Sequence, residues 1–139
     1  MDDPYNLQRF VDAQEPVYAR VREELEGGRK RTHWMWFVFP QIQGLGSSPM
    51  AQRFAIASLS EAEAYMRHPI LGERLREATE DVISVEARPI EDIFGFPDCL
   101  KFHSSMTLFV RATNDNKVFV EALSKFFDGK LDPDTLRSL

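Results

Sequence analysis

An all-α fold is predicted by three features of this chain of 139 residues. Apolar residues recur at helical spacing along most of its length, and N-cap and C-cap signals fall between these stripes. Residues suited to a strand are confined to one short aromatic block. The expectation is one compact domain over residues 1–139, with about six or seven helices counted from the start signals. They are expected to pack orthogonally rather than as a simple up-and-down bundle. Domains most often run to about 100–150 residues. A chain of this size buries roughly 68–70% of its unfolded surface, so a single core suffices without staples.

Asp3-Pro4 opens the first helix, an acid at the N-cap with proline at the first helical position. Leu7, Phe10, Val11, Gln14, Val17, Tyr18, Val21 and Leu25 then follow at helical spacing, and Gly27-Gly28 closes the run. Pro16 lies inside it, where its ring conflicts with the carbonyl of Asp12, so a kink or break is expected there. The aromatic block Trp34 to Phe39 is bounded by Pro40. Its composition favours a strand, and a short helix competes. Gly44-Leu-Gly46-Ser47-Ser48-Pro49 reads as a turn feeding a helix capped by Ser48, although glycines and a helix start also permit a phosphate loop.

Ser60 and Glu63 form a capping box ahead of Ala64-Tyr65-Met66, and His68-Pro69 ends that helix. Ile70, Leu71, Leu75, Ala78, Val82 and Ile83 make the next apolar stripe. Arg88-Pro89 marks a boundary and Gly95 to Asp98 a tight turn. Asp98 is placed to cap a helix with Cys99, Phe102, Met106, Phe109 and Val110 on one face. Val118, Ala122 and Phe126 carry another helix, closed by Gly129, and Asp132-Pro133 opens a short last one. No repeat, linker or low-complexity segment is present.

Charge and composition exclude several function classes. Net charge is −5, which opposes duplex nucleic-acid binding, where phosphate neutralisation dominates affinity. No apolar run approaches the length of a membrane span. The start Met-Asp-Asp-Pro-Tyr lacks the cationic and apolar segments of a signal peptide. The single cysteine, Cys99, suits a reducing compartment, and a cytoplasmic location is expected. Three scattered histidines and one cysteine give no metal-ligand spacing, so neither metal nor cofactor is expected. The acidic pairs Asp2-Asp3, Glu23-Glu24, Glu80-Asp81 and Glu91-Asp92 read as exposed helix ends or faces.

Two segments carry candidate chemistry. Arg29-Lys30-Arg31 precede His33, Trp34 and Trp36. Cations attract a phosphate or carboxylate, and guanidinium forks onto either. Indole faces stack on planar rings, and histidine exchanges protons near neutrality. The plainer reading is a solvated helix end beside core aromatics. Gln41 and Gln43 would add donors at the rim. The second segment is Lys101-Phe-His103-Ser104-Ser105, where Lys101, Ser104 and Ser105 share a helical face. These hydroxyls would line a pocket with Lys101 as counter-ion, or simply let another helix approach closely. The serines lack a nucleophile-elbow context.

These residues resemble a known family. Phe10-Val-Asp-Ala-Gln14, Lys30-Arg-Thr-His-Trp-Met-Trp-Phe-Val-Phe-Pro-Gln41, Gly44-Leu-Gly46, Ala64-Tyr-Met-Arg-His-Pro69 with Leu71-Gly72, Ile93-Phe-Gly95 and Lys101-Phe-His-Ser-Ser-Met-Thr-Leu-Phe109 are similar to the bacterial family catalogued as domain of unknown function 1810. The resemblance spans nearly the whole chain and implies a single all-α domain and no particular reaction. Some members are labelled calpastatin, but nothing here resembles a repetitive, disordered protease inhibitor. In an all-α family the aromatic block becomes a short helix rather than a strand.

The expected function is binding of a small anionic or nucleotide-like ligand by Lys30, His33, Trp34, Trp36, Gln41, Gln43, Lys101, Ser104 and Ser105. His33 or His103 would be the acid or base if the ligand is turned over. A non-enzymatic interaction module, with an aromatic patch or dimer contact, is the alternative. Single-strand nucleic-acid binding through Arg29-Lys30-Arg31 is the weakest reading.

Overall fold

The structure is a computed structural model, described over residues 2–139. Among these residues it has ten helices and no strand, and six of the helices have seven or more residues. The fold is all-α, as the capping and spacing signals imply. Helix α1 (Gln8–Gln14) and α2 (Tyr18–Glu26) are the two halves of the first periodic run, broken at Pro16. The aromatic block forms the single turn α3 (Met35–Val38), followed by α4 (Pro49–Arg53), α5 (Leu59–Arg67) and α6 (Leu71–Ile83). Then come α7 (Ile90–Phe94), α8 (Asp98–Ala112), α9 (Lys117–Phe127) and α10 (Pro133–Arg137).

Helix α8 is the axis of the core. It packs against α5, α7, α9 and α10, while α6 packs against α2, α5 and α9. One cluster of aromatic residues centres on Phe102, which stacks on Phe94 at 4.9 Å and meets Phe39 edge-on at 5.1 Å. Trp34 joins through Phe39 and Phe94. The strand reading of this block fails because α1 satisfies it from the side. Gln14 donates to the Phe37 carbonyl at 2.7 Å, and no neighbouring strand is offered. The nearest thing to a sheet is an isolated parallel bridge between Ile42 and Ile56.

Three local expectations shift. The α5 cap is Ser58, whose extended backbone aims its hydroxyl at the Glu61 N–H, so the helix starts two residues earlier than Ser60 implied. Glu61 accepts from Ala57 N–H and pairs with Arg9 at 2.9 Å. Asp3 accepts from the N–H groups of Leu7 and Gln8, but Asn6 at φ 51 delays α1 to Gln8. Asp98 is the first residue of α8, and its carboxylate is taken by two lysines instead of a backbone cap.

The largest correction concerns Glu24, which is buried and not part of an exposed acidic pair. Helix α2 ends in a Schellman motif: Gly28 N–H bonds to Leu25 O, and Arg29 N–H to Glu24 O. Gly28 sits at φ 80, a conformation glycine adopts without cost. The chain then folds back over the helix end. Glu24 Oε1 accepts from Arg31 N–H at 2.7 Å, Thr32 N–H at 3.0 Å and Trp34 indole N–H at 2.9 Å. Its Oε2 accepts from the Thr32 hydroxyl at 2.7 Å. Burial by itself raises the carboxyl pKa, but the donors from Arg31, Thr32 and Trp34 outweigh it and hold the group at about 2.

An amide here keeps one acceptor oxygen but sets an NH2 donor against the remaining donors. Glu24→Gln is expected to lose about 2–4 kcal/mol in urea denaturation at neutral pH, with a red shift in tryptophan emission. The sign of the pH effect follows from the lowered pKa. The stabilisation is complete above the ordinary value of 4.5 and fades as pH falls toward about 2. An acid titration of stability should therefore be flatter in Glu24→Gln across that window. Equal profiles in both proteins would contradict the clamp.

Candidate functional site

The clamp fixes the course of Arg29 to Trp34, and with it the position of Lys30. Lys30 N–H bonds to Ile93 O at 2.7 Å, tying the segment to the end of α7. Its side chain, 8% exposed, runs inward and pairs with Asp98 Oδ2 at 2.9 Å, with its ammonium 5.2 Å from the Trp34 ring. Asp98 Oδ1 lies 3.5 Å from Lys101, whose ammonium is 5.3 Å over the Trp36 ring. The two candidate segments thus meet at one carboxylate. The sequence supplied both lysines but not the acid between them.

Trp36 extends this strip toward Gln41 and Gln43. The three residues line a cleft with Gly44 and Gly46, but its free volume is only about 10 Å³. That is room for roughly one water. Six of the nine expected ligand residues therefore lie along one strip or at its ends: Lys30, Trp34, Trp36, Gln41, Gln43 and Lys101. Trp34, however, is 1% exposed with its N–H on Glu24, so it presents no stacking face to solvent.

The other three lie apart. His33 is exposed beside the clamp. Ser104 is buried, donates to Leu100 O, and reaches Asp132 Oδ2 at 3.0 Å. Asp132 also accepts from the Thr135 hydroxyl at 2.6 Å, which makes Ser104 an anchor for α10. Burial raises the Asp132 pKa, but the hydroxyls of Thr135 and Ser104 more than offset that and hold it below 3.8. Ser105 is fully buried, and its hydroxyl has no partner among the described residues. His103 stacks on Phe127 at 4.0 Å, with Nε2 2.8 Å from Lys130 O.

A larger hollow of about 440 Å³ opens beside Lys30, against α7. Arg29, Arg88, Glu91 and Asp92 line it with the Lys30 segment, whose ammonium is engaged by Asp98, and Gly95 forms a backbone edge. Arg88 is held in place by an Nη1 bond to Gly28 O at 2.8 Å. Arg88 had read only as a boundary residue before a proline. No periodic signal could have paired it with Arg29, because the Schellman turn makes that contact. Among the described residues no three His, Cys, Asp or Glu side chains are grouped to hold a metal ion. Among the described residues no helix is long and apolar enough to cross a membrane.

A family model described as "Protein of unknown function (DUF1810)" matches residues 4–139. A solved structure, that of a conserved hypothetical protein from Mycobacterium tuberculosis, is 58% identical with a TM-score of 0.97. The match covers 99% of this chain and 98% of that one. No curated protein matches.

The strip hangs on Asp98. Asp98→Ala leaves Lys30 largely desolvated without its partner and is expected to cost about 2–3 kcal/mol in chemical denaturation. Adding Lys30→Met should recover much of that loss. Two fully additive penalties would show that the pair is not coupled.

Proposed function

The chain belongs to the DUF1810 family, which brings no activity with it, and from that premise we propose that it binds a small anionic ligand in the hollow beside α7. One observation carries the reading: Arg29 and Arg88, with the Lys30 segment between them and α7, line a concavity of about 440 Å³. That volume lies within the range of small-ligand sites, about 300–1,000 Å³. The ligand residues expected from sequence are revised accordingly. Lys30 remains at the wall, its charge shared with Asp98, and Arg29 and Arg88 supply the forks for a phosphate or carboxylate. Trp34, Ser104 and Ser105 are committed to the interior and have no part in this site.

The carboxylates narrow the chemistry. Glu91 and Asp92 line the same hollow, so a bare anion would meet repulsion on one side. A ligand that joins an anionic group to hydroxyl or amino donors satisfies both walls, which is the pattern of a sugar phosphate or nucleotide. The proposal is one of binding. His33 is exposed and His103 is engaged by Lys130 and Phe127, and neither is given a catalytic part. We take residues 1–139 as one domain working in the bacterial cytoplasm, in keeping with the lone, buried Cys99. Nucleic acid is disfavoured by the net charge of −5.

The test is a thermal-shift series with AMP, ribose 5-phosphate and inorganic phosphate. A ligand at one hundred times its Kd stabilises the native state by about 2.7 kcal/mol. AMP or ribose 5-phosphate should raise the melting temperature more than inorganic phosphate does. Arg88→Ala should abolish the rise. No shift at millimolar concentration with any of the three would overturn the reading.

A further inference from the structure

Phe96, at 79%, is the single exposed aromatic residue among the described residues. Phe94, two positions back, is buried and stacked on Phe102. Gly95 separates them at φ 77 and ψ 174, a backbone that favours glycine, and the second ring is turned out of the core. Hydrogen bonds hold this turn: Gly95 N–H to Glu91 O at 2.7 Å, and Cys99 N–H to Gly95 O at 2.9 Å. Phe96 is therefore presented on an ordered backbone, and little conformational entropy is lost when a ligand covers it. A lone exposed apolar side chain is ordinary. This one differs in where it stands.

Gly95 is the backbone edge of the hollow beside α7. Consecutive Cα atoms lie about 3.8 Å apart, so the Phe96 side chain starts from the rim of that hollow. Arg29 and Arg88 line the hollow together with Glu91 and Asp92. A guanidinium forks onto phosphate, and a carboxylate accepts from hydroxyl or amino groups. Neither offers an open face to a planar ring. Phe94, the other aromatic residue at the hollow, is committed to the core through Phe102. Small-ligand sites join aromatic or apolar surface to a few placed polar groups. Every nucleobase has a π-face that stacks on an aromatic side chain.

We propose that Phe96 is the platform on which the base of a nucleotide stacks while Arg29 and Arg88 hold its phosphate. The ligand class is thereby narrowed from phosphorylated sugars in general to nucleotides, and Phe96 sets that preference. The inference rests on the anion reading above and adds to it one residue outside the charged wall. A ligand without a planar ring would use the wall and leave Phe96 in water.

Isothermal titration calorimetry with AMP and ribose 5-phosphate tests it, because the two ligands share sugar and phosphate and differ in the base. The unmodified chain should bind AMP about tenfold more tightly, the order expected for one stacked base. Phe96→Leu keeps an apolar side chain without a ring. It should bring AMP to the affinity of ribose 5-phosphate and leave ribose 5-phosphate unchanged, whereas Phe96→Tyr should keep the gap. Both substitutions fall at an exposed position, so circular dichroism and the unliganded melting temperature should not move. Equal affinities for the two ligands in the unmodified chain would overturn the stacking role and leave the anion site standing. A gap that survives Phe96→Leu would do the same. Binding of neither ligand would overturn both.

Discussion

A single buried carboxylate organises the part of this molecule where function is sought. Glu24 receives four donors from a stretch of four residues, Arg31 to Trp34, and all of them would otherwise lie unpaired at the end of a helix. Hydrogen bonds to a charged acceptor are stronger than neutral ones, and together they overcome the cost of desolvating the acid. The consequence is topological. A cationic segment that would otherwise trail into solvent is turned back over α2, so that Trp34 enters the aromatic core and Lys30 is delivered to α7 and α8.

Once Lys30 is placed, Asp98 becomes the junction between the two halves of the strip. Its carboxylate serves Lys30 and Lys101 together, and each ammonium also sits over an indole ring. An ion pair as buried as Lys30 with Asp98 contributes little net stability, because desolvation offsets most of the attraction. What it contributes is register, by setting the start of α8 against the 30–36 segment. Arg29 and Arg88 remain outside this pairing at the rim, beside the carboxylates of Glu91 and Asp92.

Much of the fold was legible because helix signals are local. The break at Pro16, the Ser48-Pro49 and Asp132-Pro133 starts and the closing glycines each follow from the conformational limits of a few adjacent residues. The site was harder to read, since its pairings depend on distance in space. Glu24 could have been found, because it lies three residues after Val21 and seven after Val17, on the apolar face of α2. Its adjacency to Glu23 hid that. Ser104 was recognised as pocket-lining chemistry, but its partner Asp132 is 28 residues away, where it had read only as a helix cap. The aromatic block misled by composition alone: aromatic residues favour strands where a partner strand exists, and here the partners are helices.

The account rests on the donors held by Glu24 being protected in solution, and amide hydrogen exchange followed by NMR measures that directly. Exposed loop amides exchange freely, whereas groups bound into a stable unit exchange only when that unit opens. The N–H groups of Arg31 and Thr32 and the indole N–H of Trp34 should exchange as slowly as the amides in the middle of α8. Exchange of all three at the rate of an unstructured loop, while α8 stays protected, would contradict the claim that this carboxylate sets the course of the chain.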